Sequence, residues 1–347
     1  MPEPLPFRHG LIVGKFAPLH HGHELLIRTS LEQCEQVSVW CYARPDFPHM
    51  PSPLRRGWLR QVFPAHLYPQ LHLLPDAPNP PLDSAGSQEH FAYCQTILSR
   101  WQVRPDAVFS SEGYGDGLAA ALGATHRSVD PARRQVPVSG TALRADPHGL
   151  RHLLNPLVYA HFLERVVILG AESTGKSTLT AALGEAFGTV AVREYGRDVY
   201  EREDGQLTPD HFLEIALGHR ALEQEAATSR KAHRYVFSDT HAATTLMWSY
   251  LLTGTALPEL HALAEACRTR YTHTFVCADD LPFEQDGWRS NKAVRSVQQA
   301  FILQDLQTRG VPYVLLHGTV EQRIETVWAT LQQRLSSAES AEHSASL

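Results

Sequence analysis

Two short stretches of the chain bring together residues that could hold phosphate. The first is GKFAPLHHGH, where His20 and His23 bracket Gly22 directly after the apolar run Leu11-Ile12-Val13. Imidazoles can donate to phosphate oxygens, Gly22 lets the backbone come close, and Lys15 adds a mobile positive charge. At the start of a helix, unpaired N–H groups and the helix dipole add to that attraction. A transition-metal site is the competing reading of three clustered histidines, but no Cys or carboxylate of suitable spacing accompanies them. The second stretch is Gly170-Ala171-Glu172-Ser173-Thr174-Gly175-Lys176-Ser177, preceded by the apolar run 166–169 and followed by TLTAALGEAFG. It fits GxxxxGK[ST] at every fixed position, in the strand-before, helix-after context of a phosphate loop. Backbone amides would cradle a β-phosphate, with Thr178 next in the opening helix. Lys176 would bridge β- and γ-phosphates, and the Ser177 hydroxyl would reach Mg²⁺.

A phosphate loop needs an acidic partner at the end of another strand. Asp239, closing RYVFSD, is the candidate, and it could equally cap the helix that follows. Transfer to a hydroxyl also needs a proton acceptor. The segment Arg193-Glu194-Tyr195-Gly196-Arg197-Asp198 offers two acids and two arginines, and Glu194, Asp198 and Asp239 all stand open for that role. Residues 280–290, with Phe283, Asp286, Trp288 and Arg289, combine turn residues, aromatics and an arginine. They suit a lid whose arginine closes on phosphate and whose aromatics stack on a flat base; a plain surface loop is the alternative. In the first half, Ser111 and Glu112 follow a strand at the place where α/β sheets take ligands.

These groups require scaffolding of one kind. Strands are expected at 37–43, 70–75 and 106–111, and again at 189–195, 234–239, 273–278 and 312–318. Apolar spacing marks helices at 210–229, 242–252, 258–270 and 292–309, and NPLVYAHFLERV reads as a helix entering a strand. The Pro-rich stretch 77–86 is a loop. Alternating strands and helices predict an α/β protein of two doubly wound parallel-sheet domains, a Rossmann-like one over 1–163 and a P-loop NTPase-type one over 164–335. A small, polar tail over 336–347 is expected to be disordered.

With 347 residues the chain is too long for one ordinary core. Hydrophobic residues at 43% and charged residues at 20% are typical of a soluble globular protein. Nothing approaches the ~20 uninterrupted apolar residues of a membrane span, and MPEPLPFRHG is not a secretory signal, so a cytoplasmic setting without membrane insertion is expected. The net charge of −6, with no long basic block, argues against nucleic acid as partner. Five scattered cysteines without a CxxC pair read as reduced, buried thiols.

The residues also carry a resemblance. Gly14-x-Phe16-x-Pro18-x-His20-x-Gly22-His23 is similar to the first signature of the HxGH nucleotidyltransferases. Val138-Ser139-Gly140-Thr141-Ala142-Leu143-Arg144 is similar to their second, ISxTxxR, with Val138 for the usual Ile. The resemblance implies that Ser139, Gly140, Thr141 and Arg144 hold the triphosphate of ATP and that adenylyl transfer proceeds by direct attack. The second half, with Glu194-Tyr195-Gly196-Arg197-Asp198, Asp239-Thr240 and Asp286-Gly287-x-Arg289-Ser290, resembles bacterial ribosylnicotinamide kinase domains. Together they look like the bifunctional nicotinamide-nucleotide adenylyltransferase/ribosylnicotinamide kinase family, from about residue 9 to 334. That implies ATP and Mg²⁺, with nicotinamide riboside, nicotinamide mononucleotide (NMN) and NAD as the other small molecules. His241 stands where the family often has a second Asp, and Phe283 where a Trp-like stacking partner is expected. The helix-turn-helix module that some members carry in front is missing, so repressor activity is not expected. The same two chemistries on other acceptors, and a nucleotide sensor without turnover, are the alternatives. A homo-oligomer is compatible with the sequence.

Overall fold

The computed structural model describes residues 4–281 and 292–345, the side chains of 292, 293 and 334–345 excepted. The chain separates into two units, Met1–Phe162 and Leu163–Leu347. Each is built around a central strand whose inner residues are apolar on both faces, as a parallel sheet covered on both sides demands.

In the first unit that strand is β1 (Phe7–Gly14), in which Leu11 and Ile12 are fully buried. It is followed by α1 (His21–Gln33), β2 (Cys34–Cys41), α2 (Ser52–Val62), β3 (Leu71–Leu73), α3 (Ser87–Arg100), β4 (Ala107–Ser110), α4 (Tyr114–Leu122), β5 (Thr125–Ser128), α5 (Gly140–Ala145) and the short α6 (Pro156–Tyr159). The sheet order is β3-β2-β1-β4-β5, parallel throughout. The order reverses direction at β1, so β1 and β4 open a crevice at their carboxyl ends. One face of the sheet packs Leu11, Val13, Trp40 and Val108 against Phe91, Leu98 and Leu118 of α3 and α4.

The second unit runs β6 (Glu164–Leu169), α7 (Lys176–Ala186), β7 (Val190–Val192), α8 (Gly196–Arg202), α9 (Pro209–Ala227), β8 (Tyr235–Asp239), α10 (Ala242–Thr253), α11 (Pro258–Arg270), β9 (His273–Cys277), α12 (Lys292–Thr308), β10 (Val314–Leu316) and α13 (Val320–Ala345). Its sheet order is β10-β9-β6-β8-β7, again all parallel, with β6 central. Val166 and Ile168 face a core shared with α7 and α13, while Val167 and Leu169 face one shared with α12. Local signals set the ends: α9 begins with Pro209 after Thr208, which shares a capping box with His211, and α10 ends at Gly254 with φ +73°.

Every strand expected from the sequence is present, and the stretch 77–86 is a loop. Helices α2, α3, α4, α8 and α13 are not among those expected from the sequence, and three further features differ. Strand β5, Thr-His-Arg-Ser, has no apolar residue; its pairing with β4 at the sheet edge makes it a strand. The helix expected before β6 shrinks to the four residues of α6. The tail expected to be disordered from 336 continues α13 as far as Ala345, since Ala, Ser and Glu can extend a helix already nucleated. Among the described residues, no helix is long and apolar enough to cross a membrane.

Candidate functional sites

At the carboxyl ends of β1 and β4 the first unit holds a cavity of about 620 Å³. His20 is the N-cap of α1, and its Nδ1 accepts from the His23 backbone N–H at 3.3 Å. His23 answers in kind: its Nδ1 accepts from the His20 N–H at 3.4 Å. The two rings stack with centroids 3.7 Å apart. With both Nδ1 atoms accepting, the neutral rings carry their protons on Nε2, where they can donate. Burial is the main force lowering both pKa values, His20 to about 4 with help from Arg133 and His21, and His23 well below its usual value with help from His20 and Arg133. At neutral pH the pair is therefore a set of uncharged donors. Gly22 is required by this packing, since a Cβ there would stand 3.1 Å from the His20 ring and 3.2 Å from Val138.

The second signature is wired to the first. Arg144 donates from Nη1 to the Ala17 carbonyl at 2.6 Å and from Nη2 to Thr141 Oγ1 at 3.1 Å, and it lies 4.9 Å over the Phe47 ring. Ser139 caps α5 by accepting from the Ala142 N–H at 3.1 Å. Lys15 pairs with Asp83 of the Pro-rich loop at 3.2 Å, both half exposed. All twelve first-half candidates line the one cavity: Gly14, Lys15, Phe16, His20, Gly22, His23, Ser111, Glu112, Ser139, Gly140, Thr141 and Arg144. Sequence reasoning missed Arg55, which is buried and donates to the carbonyls of Met50, Tyr42 and Lys15. It also missed Arg133, which sits 3.6 Å from Glu112. A further chain, Asp116–His126–Ser110 at 2.7 and 2.9 Å, fixes the turn leading to Ser111 and Glu112.

In the second unit the loop from Gly170 to Ser177 joins β6 to α7. Gly170 has φ +145°, and a Cβ there would meet the Cys277 carbonyl at 2.9 Å; Gly175 has φ +79° as the N-cap of α7. The loop is braced by α12 and by a side chain of its own. Gln299 accepts from the Ala171 N–H at 2.9 Å, Gln298 accepts from the Glu172 N–H at 3.1 Å, and Thr174 Oγ1 donates to the Ala171 carbonyl at 2.8 Å. Lys176 folds back onto that carbonyl at 2.8 Å. Ser173 takes φ +57°, and Ser177 and Thr178 stand exposed in the first turn of α7.

Asp239 is paired in register with Ile168, beside the start of the loop. It is 1% exposed, and neither carboxylate oxygen has a hydrogen-bond partner. Glu194 has its pKa raised, by burial first; Lys176 opposes the rise, and Asp239 adds to it. Asp198 is different: Arg193 holds it by two bonds of 2.6 Å and keeps its carboxyl below the usual range. Tyr195 lies against α9 at Gly218, and Arg197 is exposed. Thus Lys176, Asp239 and Glu194 come together, while Asp198 is tied up at the surface. Phe283, Asp286, Trp288 and Arg289 lie outside the described residues. Nothing in the sequence announced Glu223, fully buried beneath this site, which accepts from Ser238, Tyr271 and twice from Arg270 at 2.7–2.8 Å. His241 caps α10 and is buried, its pKa driven down to about 4 by that burial.

Among the described residues, no three His, Cys, Asp or Glu side chains converge as a metal cluster. Residues 165–323 match the model of a family described as an AAA domain. Over 325 residues the chain is 27% identical to the trifunctional NAD biosynthesis/regulator protein NadR of Escherichia coli (strain K12), covering 88% of this chain and 78% of the relative. The protein of the same description from Salmonella typhimurium is 26% identical over the same coverage. A crystal structure of a NadR protein in complex with NAD and AMP-PNP matches with a TM-score of 0.68 at 20% identity, covering 94% of this chain and 96% of the other. A NadR structure in complex with NR matches with a TM-score of 0.67 at 21% identity, covering 94% and 95%. The resemblance carried by the motifs thus extends over most of the chain.

Proposed function

We propose, from this likeness and from the two sites, that the chain is a bifunctional ATP-dependent enzyme of NAD salvage. The second unit phosphorylates nicotinamide riboside to NMN, and the first transfers the adenylyl group of ATP to NMN, giving NAD and pyrophosphate. One observation supports the reading: each sheet ends, at the carboxyl edge of its central strand, in a helix start whose donors suit an anion. His20 and His23 form one, and the phosphate loop forms the other.

In adenylyl transfer an oxygen of the NMN phosphate bonds to the α-phosphorus of ATP. The bond from that phosphorus to the oxygen leading to the β-phosphate breaks, and its electron pair leaves with pyrophosphate. No protein nucleophile is needed; positioning and charge neutralisation lower the barrier. His20 and His23 donate from Nε2 to the phosphates in transit, and Lys15 and Arg144 neutralise the triphosphate. Lys15 is free to do so by exchanging Asp83 for phosphate. Gly14, Phe16, Gly22, Ser139, Gly140 and Thr141 shape the ATP pocket, with Ser111 and Glu112 near the acceptor.

In the kinase a riboside hydroxyl oxygen bonds to the γ-phosphorus, the β–γ bridge breaks, and its electrons remain on ADP. The hydroxyl proton goes to Glu194, whose raised pKa makes it a better acceptor than Asp198 in its Arg193 pair. Lys176 leaves the Ala171 carbonyl for the β- and γ-phosphates. The orphaned, buried oxygens of Asp239 fit a divalent cation, and Asp239 with the Ser177 hydroxyl would hold Mg²⁺. Mg²⁺ would supply charge neutralisation between the β- and γ-phosphates. Tyr195 and Arg197 flank the riboside pocket, and Phe283, Asp286, Trp288 and Arg289 would complete it. The reactions draw on ATP and belong in the cytoplasm.

The test is to incubate the protein with ATP, Mg²⁺ and nicotinamide riboside and separate the products. NMN followed by NAD is expected. Lys176→Ala should abolish phosphorylation and leave NAD formation from supplied NMN; His23→Ala should do the reverse. Loss of both activities in either folded variant would overturn the two-site assignment.

A further inference from the structure

Two buried arginines bear on the phosphate loop, and they are satisfied very differently. Arg323 of α13 is fully buried and has a countercharge: Nη2 lies 2.6 Å from the Asp280 carboxylate and Nη1 donates to the Thr174 carbonyl at 2.5 Å, only its Nε lacking a partner. Arg295 of α12 is 3% exposed and has no such countercharge. Its Nη1 donates to the Leu281 carbonyl at 3.0 Å, while Nε and Nη2 have no partner. Among the described residues, no carboxylate stands within ion-pair distance of it.

The position of Arg295 is fixed on two sides. One turn further along α12, Gln298 and Gln299 grip the amides of Glu172 and Ala171. On the other side, Leu281, whose carbonyl Arg295 holds, places its Cδ1 3.1 Å from where a Cβ of Gly175 would be. Other donors near the loop are also idle: Gln298, itself fully buried, has an unpartnered Nε2, and the buried Ser173 Oγ has no partner. A buried cation without a countercharge is costly, and idle donors beside it add to the cost. An anion arriving at that point would relieve both.

We propose that Arg295 clamps the terminal phosphoryl group of the nucleotide seated in the phosphate loop, with Gln298 Nε2 and Ser173 Oγ as neighbouring donors. This rests on the kinase reading above and adds a catalytic residue to it. The loop amides and the start of α7 account for the β-phosphate and Lys176 bridges it to the γ-phosphate, leaving the remaining outer phosphoryl oxygens to be met from α12. Charge spread over those oxygens during transfer makes a fixed guanidinium count most in the transition state.

The full chain, Arg295→Gln and Arg295→Lys are compared by calorimetric binding of ADP and of AMP-PNP, each with Mg²⁺ and fitted to two sites with Lys176→Ala identifying the first-unit site, and by riboside phosphorylation. Wild type should bind AMP-PNP more tightly than ADP. Arg295→Gln should lose about tenfold in AMP-PNP affinity with ADP little changed. Its phosphorylation kcat should fall by about 10³-fold, with partial recovery on adding guanidinium ion. Arg295→Lys should fall between. NAD formation from supplied NMN reports on the first unit, and a thermal melt matching wild type reports that the second unit of each variant is folded. If Arg295→Gln does not fold, Arg295→Lys decides alone. A wild-type AMP-PNP:ADP ratio in the folded variants, or equal weakening of both nucleotides, overturns the clamp. If wild type binds both nucleotides but phosphorylates no riboside, the kinase reading fails, and the ratio still decides the clamp.

Discussion

Acidification should loosen the first unit through His20. In the unfolded chain this ring takes a proton near 6.5; in the fold burial lowers that value to about 4. Between these values unfolding takes up a proton, so acid favours it. The stabilising contribution is complete above about 6.5 and disappears as the pH falls toward 4. At pH 5 the folded ring is about one-tenth protonated and the unfolded ring almost wholly so, which corresponds to about 2 kcal/mol lost relative to pH 7.5. His23 shifts the same way, so this is the share of His20 alone. The comparison is wild type against His20→Asn, which keeps a capping oxygen for the His23 N–H but has no titrating ring. Hydrogen exchange of α1 and β1 amides, corrected for intrinsic rate, should show wild type losing about 2 kcal/mol more than the variant between pH 7.5 and 5. ¹⁵N shifts of the His20 ring should show the neutral Nε2–H form over that range. Pyrophosphate should raise the apparent pKa, because an anion on Nε2 favours the charged ring. A ring that titrates near its unfolded value, or carries its proton on Nδ1, would refute the reciprocal capping and the neutral-donor assignment together.

Asp239→Asn should reduce phosphorylation by at least about 10²-fold while leaving thermal stability equal or raising it by about 1 kcal/mol, since an unpartnered buried charge is removed. A large drop in melting temperature would contradict that. Gly22→Ala should lower adenylyl transfer about tenfold by displacing the His20 ring and leave the kinase untouched, read from separate assays of the two reactions. Gly115→Ala should destabilise by roughly 1–3 kcal/mol in denaturant unfolding, because its Cβ would stand 2.1 Å from both His126 Nε2 and Ser110 Oγ.

Fold and site were legible in the sequence to different depths. Strands such as β1 and β6 announce themselves because an all-apolar run followed by a glycine-rich loop has few other uses, whereas β5 is a strand only by virtue of its neighbour. The proposed site residues His20, His23 and Lys176 can be picked out because the chemistry proposed for them depends on local spacing, and Asp239 because it closes an apolar strand. Arg55, Arg295, Arg323 and Glu223 cannot, since their roles depend on carbonyls and donors brought from elsewhere in the chain, and a lone Arg or Glu in a helix reads as a surface residue. The three acids left open as proton acceptor separate only when their neighbours are known: Arg193 ties up Asp198, while burial near Lys176 raises the pKa of Glu194, which is what supports its proposed role.

All five thiols are buried, Cys34, Cys41 and Cys94 in the first unit and Cys267 and Cys277 in the second, and burial raises the pKa of each. None is poised as a thiolate, so mild alkylating agents and oxidants should pass the native protein by. Each unit therefore contains its own concealed reporter of opening. Pulsed alkylation followed by peptide mass mapping would time the breathing of the two units separately in a single sample, with no engineered probe.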